Sequence, residues 1–297
     1  MTRDDSIIEL GAWLRTPPGT YTLAWEQERL DHAVADAFGY HAVQLGLPEL
    51  EGLRANRMPH RWTVSDSLLE HEALPEPLSP LPASLSSTLP APQAVALHAE
   101  FDALPFPSAS IDLVLLPHAL ELARDPHLSL REVERVLVPE GRIVITGFNP
   151  ASLWGLRQRA GHLKRGLGIG MGAPLYLPSG GDFIGYWRLR DWLRLLGFEI
   201  EVGRFGCWRP PLKAQAWLER FEWMDKLGDR WWPVLGSVYC LVAVKRVRGM
   251  HLISHVRSEK RRSRVAAPAT VANSRPVPGV GLPIGRKLHE REEAEFR

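Results

Sequence analysis

The apolar positions divide the chain into alternating helix-like and strand-like stretches. Between 21 and 38, Leu23, Leu30, Val34, Ala37 and Phe38 recur near one helical face, while Glu26, Glu28, Arg29 and Asp31 fall elsewhere. That spacing predicts an amphipathic helix, with Gly39 as its stop. Residues 40–45 read as a buried strand breaking into a loop at Gly46, followed by a short helix near 48–56 and a second strand over 60–64. Residues 94–100 give a third. IDLVLL, 111–116, is almost continuously apolar, as a strand covered on both faces must be. Asp125 before Pro126 predicts a capped helix start, and Leu130, Val133, Val136 and Leu137 continue it at helical spacing. Pro139-Glu140-Gly141 makes a turn into the strand RIVIT, 142–146, completing a βαβ unit with a right-handed crossover. Further on, 151–186 is glycine-rich and irregular, 187–196 is a helix stopped by Gly197, 198–205 is a strand, 212–232 is a tryptophan-rich helical insert, and 238–247 reads as an edge strand pairing antiparallel.

Two stretches resist this pattern. Residues 71–93 carry Pro75, Pro77, Pro80, Pro82, Pro90 and Pro92, too dense and irregular for a helix or an inner strand, and read as a loop. From about Ser258 the chain turns basic, then rich in proline and glycine, then charged, the composition of a disordered tail. The organisation is therefore an extension over 1–20, a domain over 21–247 with a tryptophan-rich insert at 204–236, and a tail over 248–297.

Composition narrows the function classes. A formal charge of +2 over 297 residues gives no global field for nucleic acid. Only Cys207 and Cys240 are present, so a disulfide framework is excluded and a cytoplasmic setting is the simplest. No stretch approaches the roughly 20 apolar residues of a membrane span. The tryptophans read as core, as a lid over an aromatic or lipid-like substrate, or as a peripheral contact with a membrane surface. His118, Glu121 and His127 lack the tight spacing of a metal site, and no metal is expected.

Residues 100–150 carry a more specific pattern: Glu100, then Leu104-Pro105-Phe106, Asp112 opening a strand, Asp125-Pro126 capping a helix that ends Arg135-Val136-Leu137, then Pro139-Glu140-Gly141 and a strand. This block resembles the centre of class I methyltransferases that use S-adenosylmethionine. The resemblance implies an α/β fold, a Rossmann-like sandwich with a mostly parallel seven-stranded sheet and helices on both faces. It implies transfer of a methyl group to a small or lipid-like acceptor, with S-adenosylmethionine as cofactor. By position it assigns Glu100 to the adenine, with Asp102 as rival, and Asp66 to the ribose, with a turn cap as the equal alternative. Gly46 and Pro117 complete the cofactor site. His118, after the fourth strand, is the best-placed base; its other reading is a packing histidine. Asn149-Pro150 resembles the asparagine-proline motif of DNA amino-methyltransferases, but follows the fifth strand rather than the fourth and reads as a turn, with Trp154 and Arg157 on the acceptor side.

One departure stands against this. The family's first strand commonly ends in an acid and a glycine-rich loop. Here Gln44 replaces the acid, and Gly46 is followed by Leu47 and Pro48. A non-catalytic, methyltransferase-like binding or scaffold protein is therefore the alternative reading.

Overall fold

The computed structural model describes residues 3–65, 95–167, 175–178 and 183–246. The proline-rich stretch 71–93, the tail 248–297 and Asp66 lie outside the described residues. Two helices open the chain, α1 (Arg3–Leu14) and α2 (Pro17–Ala35), followed by β1 (His41–Leu45), β2 (His60–Ser65), β3 (Leu97–His98) and β4 (Ile111–Pro117). Then come α3 (Ala119–Leu122), α4 (Pro126–Val136), β5 (Leu137–Phe148), α5 (Leu153–Gly166), α6 (Tyr186–Leu195), β6 (Phe198–Gly206), α7 (Gln215–Arg220), α8 (Trp223–Trp231) and β7 (Val238–Lys245).

The strands form one seven-stranded sheet in the order β3-β2-β1-β4-β5-β7-β6. β3, β2, β1, β4 and β5 run parallel, whereas β7 pairs antiparallel with both β5 and β6. β7 therefore lies inside the sheet, and β6 is the edge. The continuous burial of Val238–Val244 follows from that place, since an inner strand has both faces and both flanks covered.

Period-two alternation sends neighbouring residues of one strand to opposite layers. Leu113 and Leu115 of β4 join Leu10, Trp13, Leu14, Leu30 and Val34 of α1 and α2 on one face. Val114 and Leu116 join Leu130, Val133 and Val136 of α4 and Leu189 and Leu193 of α6 on the other. The first twenty residues thus contribute Leu10, Trp13 and Leu14 to the core of the sheet, where the sequence suggests an extension. Phe38, expected on the apolar face, is exposed beyond the end of α2.

Local chemistry explains the best-anticipated elements. The Asp125 carboxylate accepts from His127 N at 2.8 Å and Leu128 N at 3.1 Å, capping α4. The acid that opens β4 is structural. Asp112 Oδ2 accepts from Tyr40 N and His41 N, each at 2.9 Å, and so ties the start of β1 to β4. Three expectations need correction. β3 spans only two residues. The stretch 151–186 includes α5, a real helix capped by Ser152, whose Oγ accepts from Gly155 N at 3.1 Å. The predicted helix near 48–56 is a run of turns, for a reason given below. Among the described residues, no helix is long and apolar enough to cross a membrane.

Asp112→Ala should lower stability by about 2 kcal/mol through loss of two charge-assisted hydrogen bonds, and Asp112→Asn by less. Urea denaturation checks both; equal stability of the alanine variant would show that the β1–β4 tie is dispensable.

Candidate functional site

In a parallel sheet, ligands gather at the carboxyl ends of the strands. Here the ends of β1, β3 and β4 converge. Gly46 follows β1 with φ +77°, a conformation natural to glycine. A Cβ placed there would touch Phe101 at 3.5 Å and Ala119 at 3.7 Å, so the loops after β3 and β4 both reach it. Glu100, just after β3, is exposed, and Asp102 is half-buried. Pro117 is buried at the end of β4.

The loop after β1 is folded on itself by one side chain. Gln44 Nε2 donates to Leu50 O at 2.7 Å and Leu47 O at 3.0 Å, and Gln44 Oε1 accepts from Gly52 N at 3.0 Å. These bonds take up carbonyls that a helix over 48–56 would need, and the backbone instead closes short turns, Leu50 N to Leu47 O and Gly52 N to Leu50 O. Gly52 is required by approach: a Cβ would stand 2.9 Å from both Gln44 Oε1 and Leu115 Cδ1. Leu47 adopts φ +43° with its side chain buried. A glutamine does here what a carboxylate could not, because it donates and accepts at once.

His118 is placed differently from the expectation. It does not face an open crevice but is fully buried, with φ +51° at the turn out of β4. Its Nδ1 lies 2.7 Å from Glu121 Oε2, and its Nε2 lies 2.8 Å from Glu26 Oε1 on α2. The first contact is a hydrogen bond. The second is off the hydrogen-bond axis and therefore Coulombic: His118 Nε2 and both Glu26 oxygens make no hydrogen bond. Glu121 Oε1 also accepts from Phe148 N at 2.6 Å, which ties the cluster to the end of β5. Burial alone would lower the imidazole pKa, but the Glu26 and Glu121 carboxylates raise it to about 10. Burial raises the Glu121 carboxyl, against the pull of His118. The ring is fully buried between two carboxylates, an arrangement that suits the packing reading of His118 better than the reading as a base.

Glu26 is a member of this cluster that the sequence pattern hides. The pattern puts it on the polar side of the first predicted helix, yet it is fully buried. The available signal is its spacing: positions 23, 26, 30 and 34 follow each other at three- and four-residue steps, on one face. Thr146 Oγ1, buried on β5, also lacks a hydrogen-bond partner. Asn149 shapes a turn as expected, donating to Val234 O and Gly236 O and accepting from Ala151 N. Trp154 is fully buried and donates to Arg209 O, so it packs rather than lines an acceptor site, and Arg157 donates to Pro211 O. Among the described residues no group of side chains is arranged to hold a metal ion.

The sheet order, with five parallel strands and an antiparallel β7 set between β5 and β6, is the class I methyltransferase fold. Residues 81–145 match the family described as a methyltransferase domain. That block is similar to this family, whose members draw the methyl group from S-adenosylmethionine. The chain is 35% identical over 169 residues to the uncharacterized protein YafS of Escherichia coli strain K12, a match covering 56% of this chain and 62% of that one. It is 42% identical over 59 residues to the malonyl-[acyl-carrier protein] O-methyltransferase of Halorhodospira halophila, 20% of each chain. The matches thus span about three fifths and one fifth of the lengths of these relatives. Among solved structures, an S-adenosylmethionine-dependent methyltransferase from Archaeoglobus fulgidus superposes with a TM-score of 0.46 at 16% identity, over 75% of this chain and 94% of that one.

The sign of the His118 shift fixes a pH dependence. With a pKa raised above that of the unfolded chain, the imidazolium stabilises the fold fully below about pH 6.5, and that contribution is lost as pH rises through about 10. Glu26→Gln should bring the loss to lower pH. Histidine NMR titration checks this: His118 should stay protonated at pH 8 in the wild type and titrate earlier in the variant. A wild-type His118 titrating near 6.5 would contradict the charge assignment.

Proposed function

We propose that the chain is an S-adenosylmethionine-dependent methyltransferase acting on a small or lipid-like acceptor. The observation that carries this reading is the methyltransferase block, residues 81–145, whose carboxyl-end loops meet the Gly46 turn at the same end of the sheet. When bound, S-adenosylmethionine supplies an electrophilic methyl group on a sulfonium centre. In this reading the exposed Glu100 carboxylate accepts from the adenine amino group, with Asp102 beside it as the rival. Asp66, outside the described residues, is the acid that the family resemblance assigns to the ribose hydroxyls. Gly46 lets the cofactor approach the backbone, and Pro117 walls the site below it. Leu47 and Phe101 fill space that a glycine-rich loop would leave open, so the cofactor depends on its acids more than on that loop.

His118 is a positioning residue in this scheme. Its charge clamps α2, β4 and β5 at the end of the sheet where the methyl donor and acceptor must be aligned, and alignment is the larger part of catalysis in a direct displacement. The acceptor is of the small or lipid-like kind; the acyl-carrier-protein ester named for the Halorhodospira halophila relative is one chemical precedent. The two cysteines are free and buried, which suits a reducing cytoplasm.

Calorimetric titration with S-adenosylmethionine and its demethylated product tests the proposal. Wild type should bind. Glu100→Ala should lose affinity by roughly ten- to a hundred-fold, the worth of a charge-assisted hydrogen bond. Glu100→Gln should lose less, and Asp102→Ala little. The reverse order would move the adenine site to Asp102. Absence of binding by the folded wild type would leave the scaffold reading standing.

A further inference from the structure

The helix α5 presents an apolar stripe to solvent. Leu153, Leu156, Leu163 and Leu167 are 49%, 62%, 67% and 66% exposed, and Ala160 between them is exposed as well. At 100° per residue, these five positions fall within about 80° of one another. The buried positions of the same helix, Trp154, Gly155 and Gln158, point the opposite way. The stripe is therefore not the face that holds α5 to the domain. Trp154, bonded to Arg209 O, and Gln158, bonded to Leu177 N and O, hold it there instead.

The charge around the stripe has one sign. Arg157, Arg159, Lys164 and Arg165 stand on α5, and no acidic residue occurs between Glu140 and Asp182. A protein surface normally mixes its charges. Within α5 itself the charged residues beside the stripe are all cations, a pattern that suits a helix lying in a lipid interface. Pairing with α5 of a second copy would bring cations against cations, so the charge distribution disfavours that occupant. The segment that anchors α5, through Arg209 O and Pro211 O, leads straight into α7, where Trp217 is 49% exposed. Tryptophan suits the headgroup layer, where an apolar ring meets water. α5 also springs from the end of β5, the sheet end at which the candidate site lies.

We infer that α5 is a membrane-docking element, which lays Leu153, Leu156, Leu163 and Leu167 into the surface of an anionic bilayer with its arginines and lysine among the headgroups. This surface does not depend on the cofactor reading. Docking would bring the carboxyl end of the sheet toward the lipid.

Co-sedimentation of the full chain with vesicles tests this. The wild type should bind vesicles of phosphatidylglycerol and phosphatidylcholine, bind pure phosphatidylcholine far less, and release with added salt. The triple variant Leu156→Ser, Leu163→Ser, Leu167→Ser should weaken binding by roughly ten-fold or more, from lost apolar burial. These positions are exposed, so an unchanged circular dichroism spectrum and melting temperature are expected. The variant keeps every charge, which separates α5 from the basic residues Lys260, Arg261 and Arg262 elsewhere in the chain. Arg159→Glu with Lys164→Glu should abolish the preference for anionic vesicles. Unchanged vesicle binding by the serine variant would overturn the proposal. So would a wild type that ignores vesicles but forms a dimer, by light scattering, which the same leucine changes dissolve.

Discussion

The constraint on which the site depends is electrostatic. Two carboxylates, Glu26 and Glu121, are buried at the carboxyl end of the sheet with one imidazole between them. Removing such groups from water costs several kcal/mol per ion unless each is paired. The pairing reaches across three parts of the fold: Glu26 comes from α2, His118 from the turn after β4, and Glu121 from α3, where it also holds Phe148 N at the end of β5. Each partner restrains the others, and losing His118 would leave two buried carboxylates facing each other with no cation between them. His118 has a left-handed backbone, and its ring lies between the two acids. The cluster also adds a polar tie from α2 to the end of β4, beside the apolar core that α1 and α2 share with that strand.

A second restraint shapes the neighbouring loop. Gln44 holds three backbone groups of the turn from Leu47 to Gly52. A side-chain amide thereby replaces the helix that would otherwise follow β1, and Leu47 and Phe101 close around Gly46. The departure at the first strand is thus a change in how the loop is stabilised, with the chain still folded tightly enough to bring β1, β3 and β4 loops together. In the proposed methyltransferase reading, polar recognition of the cofactor falls to the neighbouring acids.

Much of this is legible in the amino-acid sequence. The run 111–116 reads as an inner strand, and Asp125-Pro126 as a helix start, because each signal is local. Asp112 is legible as a motif residue, but its bonds to Tyr40 N and His41 N are long-range and have no local signature. Glu26 reads as a solvated residue because a lone acid on a helix normally is one, and only its partners explain its burial. The turn over 47–52 reads as a helix because the Gln44 side chain overrides helical propensity from outside the segment. α5 escapes the pattern because its glycines and its outward-facing leucines break the usual correspondence between apolar and buried. The site is therefore visible as a set of strand ends, while the charge relations within it emerge only with the fold.

Hydrogen–deuterium exchange, with and without the demethylated product S-adenosylhomocysteine, tests the central claim most directly. Slowed amide exchange is predicted in residues 45–52, 99–104 and 116–122, which lie far apart in the chain and meet at one end of the sheet, and beside Asp66, with no change in the remaining segments. Protection elsewhere, or none at a saturating concentration, would contradict it.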